Sequence, residues 1–124
     1  MPTDHPRLID AELLAQLREA MKPMSPEEVA RGKAALQRLF EFAQGFSGQP
    51  QKVACFLLSL YDSSRFTFDM TDLRALDKPV IQDCIAVLYM NSVRHNNVEK
   101  DIDGGEEALE LLAARWNLGV QCEL

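Results

Sequence analysis

The stretch Gln51-Lys52-Val53-Ala54-Cys55-Phe56-Leu57-Leu58-Ser59-Leu60-Tyr61 constrains the fold more than any other part of the chain. Wound as a helix, its apolar residues leave no polar stripe. A helix that is apolar nearly all round must be covered on most of its sides. The other segments carry amphipathic helical patterns that can supply the cover. The expectation is an all-α single domain, an irregular bundle of about five helices around this buried central one.

The length agrees with one domain: 124 residues bury roughly two thirds of their unfolded surface, enough for a core without disulfides or metals. No run of about 18 apolar residues occurs, so no membrane span is expected. Met1-Pro2-Thr3-Asp4-His5-Pro6 has no basic start followed by an apolar block, so no secretory signal is expected. Cys55, Cys84 and Cys122 are odd in number and widely spaced, which is no disulfide framework. Cys55 and Cys84 sit inside apolar helical patterns, where cysteine packs as a small hydrophobe. A reducing, cytoplasmic compartment is the expectation.

From Arg7 to Met21, the residues Ile9, Leu13, Leu14, Leu17 and Met21 recur at helical steps. Pro6 suits the start of this helix and Pro23 ends it. Ser25-Pro26-Glu27-Glu28 reads as a second start: Ser25 caps, Pro26 takes the first position, and Glu28 completes a capping box. That helix is expected to run to about Phe46. The central helix then runs from Gln49 or Pro50 to Asp62. Arg65-Phe66-Thr67-Phe68-Asp69 alternates too briefly for a strand, and its phenylalanines are expected to tuck under the core. Asp69 or Thr71 caps a short helix at 72–76.

Pro79 opens the fourth main helix, to about Val93. Its expected inner stripe is Val80, Ile81, Cys84, Ile85, Leu88 and Ser92, widened by Val87 and Met90. Residues 94–105 are polar and read as a loop. Asp103 is the expected cap of the last helix, with Glu106 at the box position. Ala108, Leu109, Leu112, Ala113 and Trp116 face inward, and Asn117 and Gly119 end it. Residues 1–6 and 120–124 are expected to be loose.

Net charge is −6, concentrated in the second half. That disfavours general phosphate binding, which needs a positive footprint. Between Glu99 and Glu110 six acids, Glu99, Asp101, Asp103, Glu106, Glu107 and Glu110, stand against Lys100. They offer a face for a basic partner. Equally, acids in a helix's first turn complement its dipole. A calcium loop is not matched, because the sixth-position glycine falls out of register whether counting begins at Asn97 or Asp101. His5 and His95 are far apart and no His/Cys set has zinc spacing. Ser59, Ser63, Ser64 and Ser92 lack a nucleophile-elbow context, and Cys122 lies in the tail. No catalytic residue, cofactor or metal site is assigned.

Two further arrangements are of interest. Residues 71–92 imitate a helix-turn-helix, but the second helix would lead with Val80, Ile81, Gln82 and Asp83, which include no base. Arg65 lies near Asp62, Asp69, Asp72, Arg74 and Asp77, which points to an ion-pair network that orders a loop.

The block Gly32-Lys33-Ala34-Ala35-Leu36-Gln37-Arg38-Leu39, then Gly48-Gln49, Val53-Ala54-x-Phe56-Leu57-Leu58 with Tyr61, and Phe68-Asp69-x-Thr71-Asp72-Leu73 resembles a family of small uncharacterised bacterial proteins found on plasmids and integrative elements. The resemblance spans about residues 30–117 and takes in Trp116. It implies a bacterial cytoplasmic setting on a mobile genetic element, and no mechanism.

The functional expectation is a small acidic, non-catalytic protein-binding regulator or inhibitor, with the six acids as its partner face. The alternative is a DNA-binding transcriptional regulator using residues 71–92. No membrane partner is expected, and nucleic acid is the less favoured one. Phe42, Phe46, Phe66 and Phe68 are more aromatic surface than so small a bundle must hide, so a homodimer patch is also open.

Overall fold

The computed structural model describes residues 10–118, and among them every regular element is helical. In order they are α1 (Ala11–Ala20), α2 (Pro26–Phe42), α3 (Gly48–Tyr61), a 3-10 helix (Met70–Ala75), α4 (Lys78–Arg94), a second 3-10 turn (Val98–Asp101) and α5 (Gly105–Arg115). None is long and apolar enough to cross a membrane. The expected loose termini, the Arg7–Ile9 start of the first helix, His5, Gly119 and Cys122 lie outside the described residues.

α3 is the covered rod that its composition demands. Val53, Ala54, Phe56, Leu57 and Leu58 are buried, and they join one continuous cluster with Leu36 and Leu39 of α2, Val87 of α4, and Leu109 and Leu112 of α5. α2 and α4 pack against each other most extensively. They run antiparallel: Arg38 clasps Asp83 through Nε at 3.0 Å and Nη2 at 2.9 Å, while Gly32 lies against Met90.

Local chemistry explains the ends. Ser25 accepts from the Glu28 N–H at 3.1 Å and Glu28 accepts from the Ser25 N–H at 2.9 Å, with Pro26 between them, so the capping box forms as its residues require. α2 stops at Phe42, earlier than the expected Phe46, because the chain turns at Gly45 to bring α3 beneath it. α1 is capped by Asp10, which accepts from the Leu13 N–H at 2.7 Å. That cap stands later in the chain than the start expected at Pro6. Asn117 takes a left-handed conformation (φ 57°), and the Leu118 N–H returns to the Ala113 carbonyl at 2.9 Å, closing α5.

Several expectations are corrected. α1 buries none of its residues: Leu13, Leu14 and Leu17 are each about 40% exposed and Met21 is 80% exposed, so its stripe is not part of the core. α4 is rotated from its expected face: Cys84, Val87 and Met90 are buried, whereas Ile85, Leu88 and Ser92 face out. Both stripes fit a helical period, and only packing against α2 selects between them. The loop at 94–105 contains a 3-10 turn whose Val98, with Ile102 just after it, is buried. Asp103 does not cap α5. Gly104 holds that place with φ 88°, and no side chain caps the helix.

Phe66 is buried and Phe68 half-buried. Phe68 meets Phe56 edge-on with ring centroids 5.4 Å apart. These two aromatics therefore add little to any surface patch.

Candidate functional site

The six acids do not form one equivalent face. Asp101 belongs to the fold: only 6% of its side chain is exposed, and it takes Arg94 Nη1 at 3.1 Å, Asn96 Nδ2 at 3.4 Å and Lys33 Nζ at 3.7 Å. Glu110 is likewise engaged. Its carboxylate receives Arg65 Nη1 and Nη2 at 2.6 and 3.1 Å and the Tyr61 hydroxyl at 2.6 Å. Glu99 is half-buried, with Oε1 shut from solvent and without a partner among the described residues. Asp103, Glu106 and Glu107 are exposed.

The Glu110 knot is the ordering network expected around Arg65, but its anchor comes from α5 rather than from the nearby aspartates. Asp62 stands 4.0 Å from Arg65 and binds the Ser64 hydroxyl at 2.7 Å. Asp69 caps the 3-10 helix by accepting from Thr71. Asp72 pairs with Lys52 at 3.4 Å. Donation by Arg65, then by Tyr61, holds the Glu110 carboxyl below its usual range. The same bond to Glu110 is the main reason the Tyr61 phenol is pushed up to about 12.

Neither cysteine within the described residues is activated. Burial raises the Cys84 thiol to about 12, and burial raises Cys55 as well. Among the described residues no group of three or more His, Cys, Asp or Glu side chains is placed to hold a metal ion.

The corner between α2 and α3 carries a feature that composition alone does not show. Phe46 is 82% exposed, yet its ring is held. The Arg115 guanidinium carbon lies 5.4 Å from the Phe46 centroid and 5.7 Å from the Trp116 ring. Arg115 Nη2 donates to the Gly45 carbonyl at 2.8 Å, and Trp116 Nε1 donates to the Ala43 carbonyl at 2.9 Å. Gly45, Phe46, Ser47, Arg115 and Trp116 line an open recess of about 260 Å³. Ser47 sits at φ 65°, ψ −153°, a region that is essentially glycine's own, and such strain concentrates at functional sites.

α5 links this corner to the acids. Glu107, Leu111 and Arg115 are four residues apart and so share one helix face, about 12 Å long. Leu111 is 65% exposed. The face therefore begins with carboxylates in the first turn, passes an apolar side chain, and ends on the Arg–Phe–Trp platform. Phe46 and Arg115 are 69 positions apart in the chain, so sequence spacing gave no sign of their pairing. The hint in the sequence is the excess of phenylalanines, Phe46 among them, over what so small a bundle must hide.

The helix-turn-helix reading meets a 3-10 helix where its first helix would be. At the start of α4, Asp83 is turned onto Arg38.

A family model described as a family of unknown function, DUF7673, matches residues 33–117. The match takes in α3, α4, α5 and most of α2. No curated protein matches the chain, and no solved structure matches it.

Proposed function

The chain belongs to the DUF7673 family of unknown function, and on that premise we propose that it is a small non-catalytic protein that works by binding another protein, as a regulator or inhibitor. One observation carries the reading: Phe46 is largely in water, and the Arg115 guanidinium lies over its ring and over that of Trp116. Binding hot spots are enriched in tryptophan, tyrosine and arginine, and interfaces in aromatics generally. A ring already held in place loses little conformational entropy when a partner covers it.

Glu107, Leu111 and Arg115 extend the surface towards Asp103 and Glu106. The partner that fits is a segment with a large apolar side chain at one end and lysine or arginine at the other. Two of the six acids first considered, Asp101 and Glu110, support the fold instead of this contact. The acids of the first turn also complement the α5 dipole, so their contribution to binding is chiefly to rate and specificity.

The proposed setting is a bacterial cytoplasm and a mobile element, which rests on the residue block between Gly32 and Leu76. Affinity capture from bacterial lysate tests the function. A partner above background supports it, and none at either low or high salt contradicts it. DNA binding through residues 71–92 has weaker support, with Lys78 the lone base among Asp77–Asp83. A gel shift at low salt decides it, since non-specific affinity is strongest there.

A further inference from the structure

Among the described residues two apolar helix faces are exposed, one on α1 and one on α4. On α1, Leu13, Leu14, Leu17 and Met21 line one side, with Met21 80% exposed. On α4, Ile85, Leu88, Tyr89 and Val93 line another, with Ile85 58% exposed. Each stripe spans nine residues, about 12 Å of helix. The two α4 charges nearest this face are turned into the fold: Asp83 onto Arg38 and Arg94 onto Asp101.

The connection between α1 and α2 bears on what covers them. Met24 packs against the core and lines a small cleft with Gly32, Ala86 and Tyr89, so α1 departs from beside the α4 stripe. The segment Pro23–Ser25 has no helical or turn structure, and Ser25 is extended (φ −72°, ψ 159°). Pro23 fixes its own φ and biases Lys22 towards extended backbone. Such a connection is extended, and it lets the arm reach beyond its own body.

We propose that the occupant of each face is a second copy of this chain: α1 of one copy lies along Ile85–Val93 of its partner, and the exchange is reciprocal. A reciprocal exchange closes on a two-fold axis and leaves neither stripe open. Complete cover of the exposed parts of these eight side chains in both copies would bury at most about 1,500 Å², within the range of a standard specific interface. The α5 surface of the proposed partner contact shares none of these residues, so the two ideas fail independently.

The test is light scattering on the full chain at two concentrations, with Leu17→Glu as the arm variant and Ile85→Glu as the face variant. Both positions are exposed, and unchanged circular dichroism shows that the fold is kept. The wild type is expected as a dimer, and each variant alone at half that mass. An equimolar mixture of the two variants is expected to associate more than either variant alone, because the intact arm of the face variant meets the intact face of the arm variant while the second contact stays broken. A monomeric wild type, or variants that each stay dimeric, would overturn the exchange.

Discussion

Gly32 of α2 lies directly against Met90 of α4: a Cβ placed on Gly32 would meet the Met90 sulfur at 2.6 Å, its Cβ at 3.0 Å and its Cγ at 3.2 Å. Met90 is buried, so it has little room to yield. Alanine in a helix interior is otherwise worth about 1 kcal/mol over glycine, whereas overpacking a tight core costs about 1–3 kcal/mol. Gly32→Ala is therefore expected to lower stability by about 1 kcal/mol net, read as a shift in the denaturant midpoint. A gain in stability would show that the helices are not in contact here.

The Tyr61–Glu110 bond predicts two pH effects. The Tyr61 phenol is raised from 10.0 to about 12, so its stabilising contribution is complete below pH 10 and is lost as pH rises towards 12. The Glu110 carboxyl is lowered from 4.5, so its contribution is complete above the ordinary carboxylate range and is lost as pH falls through the depressed value. Glu110→Gln should weaken the protein's response on the acid limb and move one tyrosine's phenolate absorbance back towards pH 10. An unchanged phenolate titration would mean that the bond is absent.

Asp101 and Glu107 are both acids on the same stretch, yet substitution should affect different properties. Asp101→Asn leaves Arg94 and Lys33 without their shared carboxylate and is expected to cost about 2 kcal/mol, the scale of a charge-assisted hydrogen bond. Glu107→Gln should leave the unfolding free energy within about 0.5 kcal/mol of wild type. Equal effects at the two sites would remove the distinction between fold and surface acids.

Ser47 at φ 65°, ψ −153° gives a prediction of the opposite sign. Such a conformation costs a non-glycine residue about 1–3 kcal/mol, and glycine takes it freely. Ser47→Gly should raise stability by about 1 kcal/mol after the entropy that glycine adds to the unfolded chain is allowed for. Thermal unfolding checks it, and destabilisation would show that Ser47 is not strained.

What was legible in the sequence follows the range of each interaction. The Ser25–Glu28 box, the α3 rod and the inner stripe of α5 depend on residues within a few positions, and all were readable. The orientation of α4 was not, because Ile85 and Val87 are both apolar and the choice between them is made by α2. The role of Asp101 was hidden for the same reason: a carboxylate in a polar loop reads as solvated until Lys33 and Arg94 are brought to it. Glu110, as the partner of Arg65, and Arg115, as the support of Phe46, are contacts across 45 and 69 positions that no local pattern records.

The central claim is that the Phe46 corner and the α5 face beside it hold a protein partner. Affinity capture with wild type, Phe46→Ala and Leu111→Glu baits, run side by side, tests it most directly. The wild type should retain a partner that each variant loses by about tenfold or more, with the bait's own thermal midpoint little changed. Retention of the same partner at wild-type level by both variants would contradict the claim.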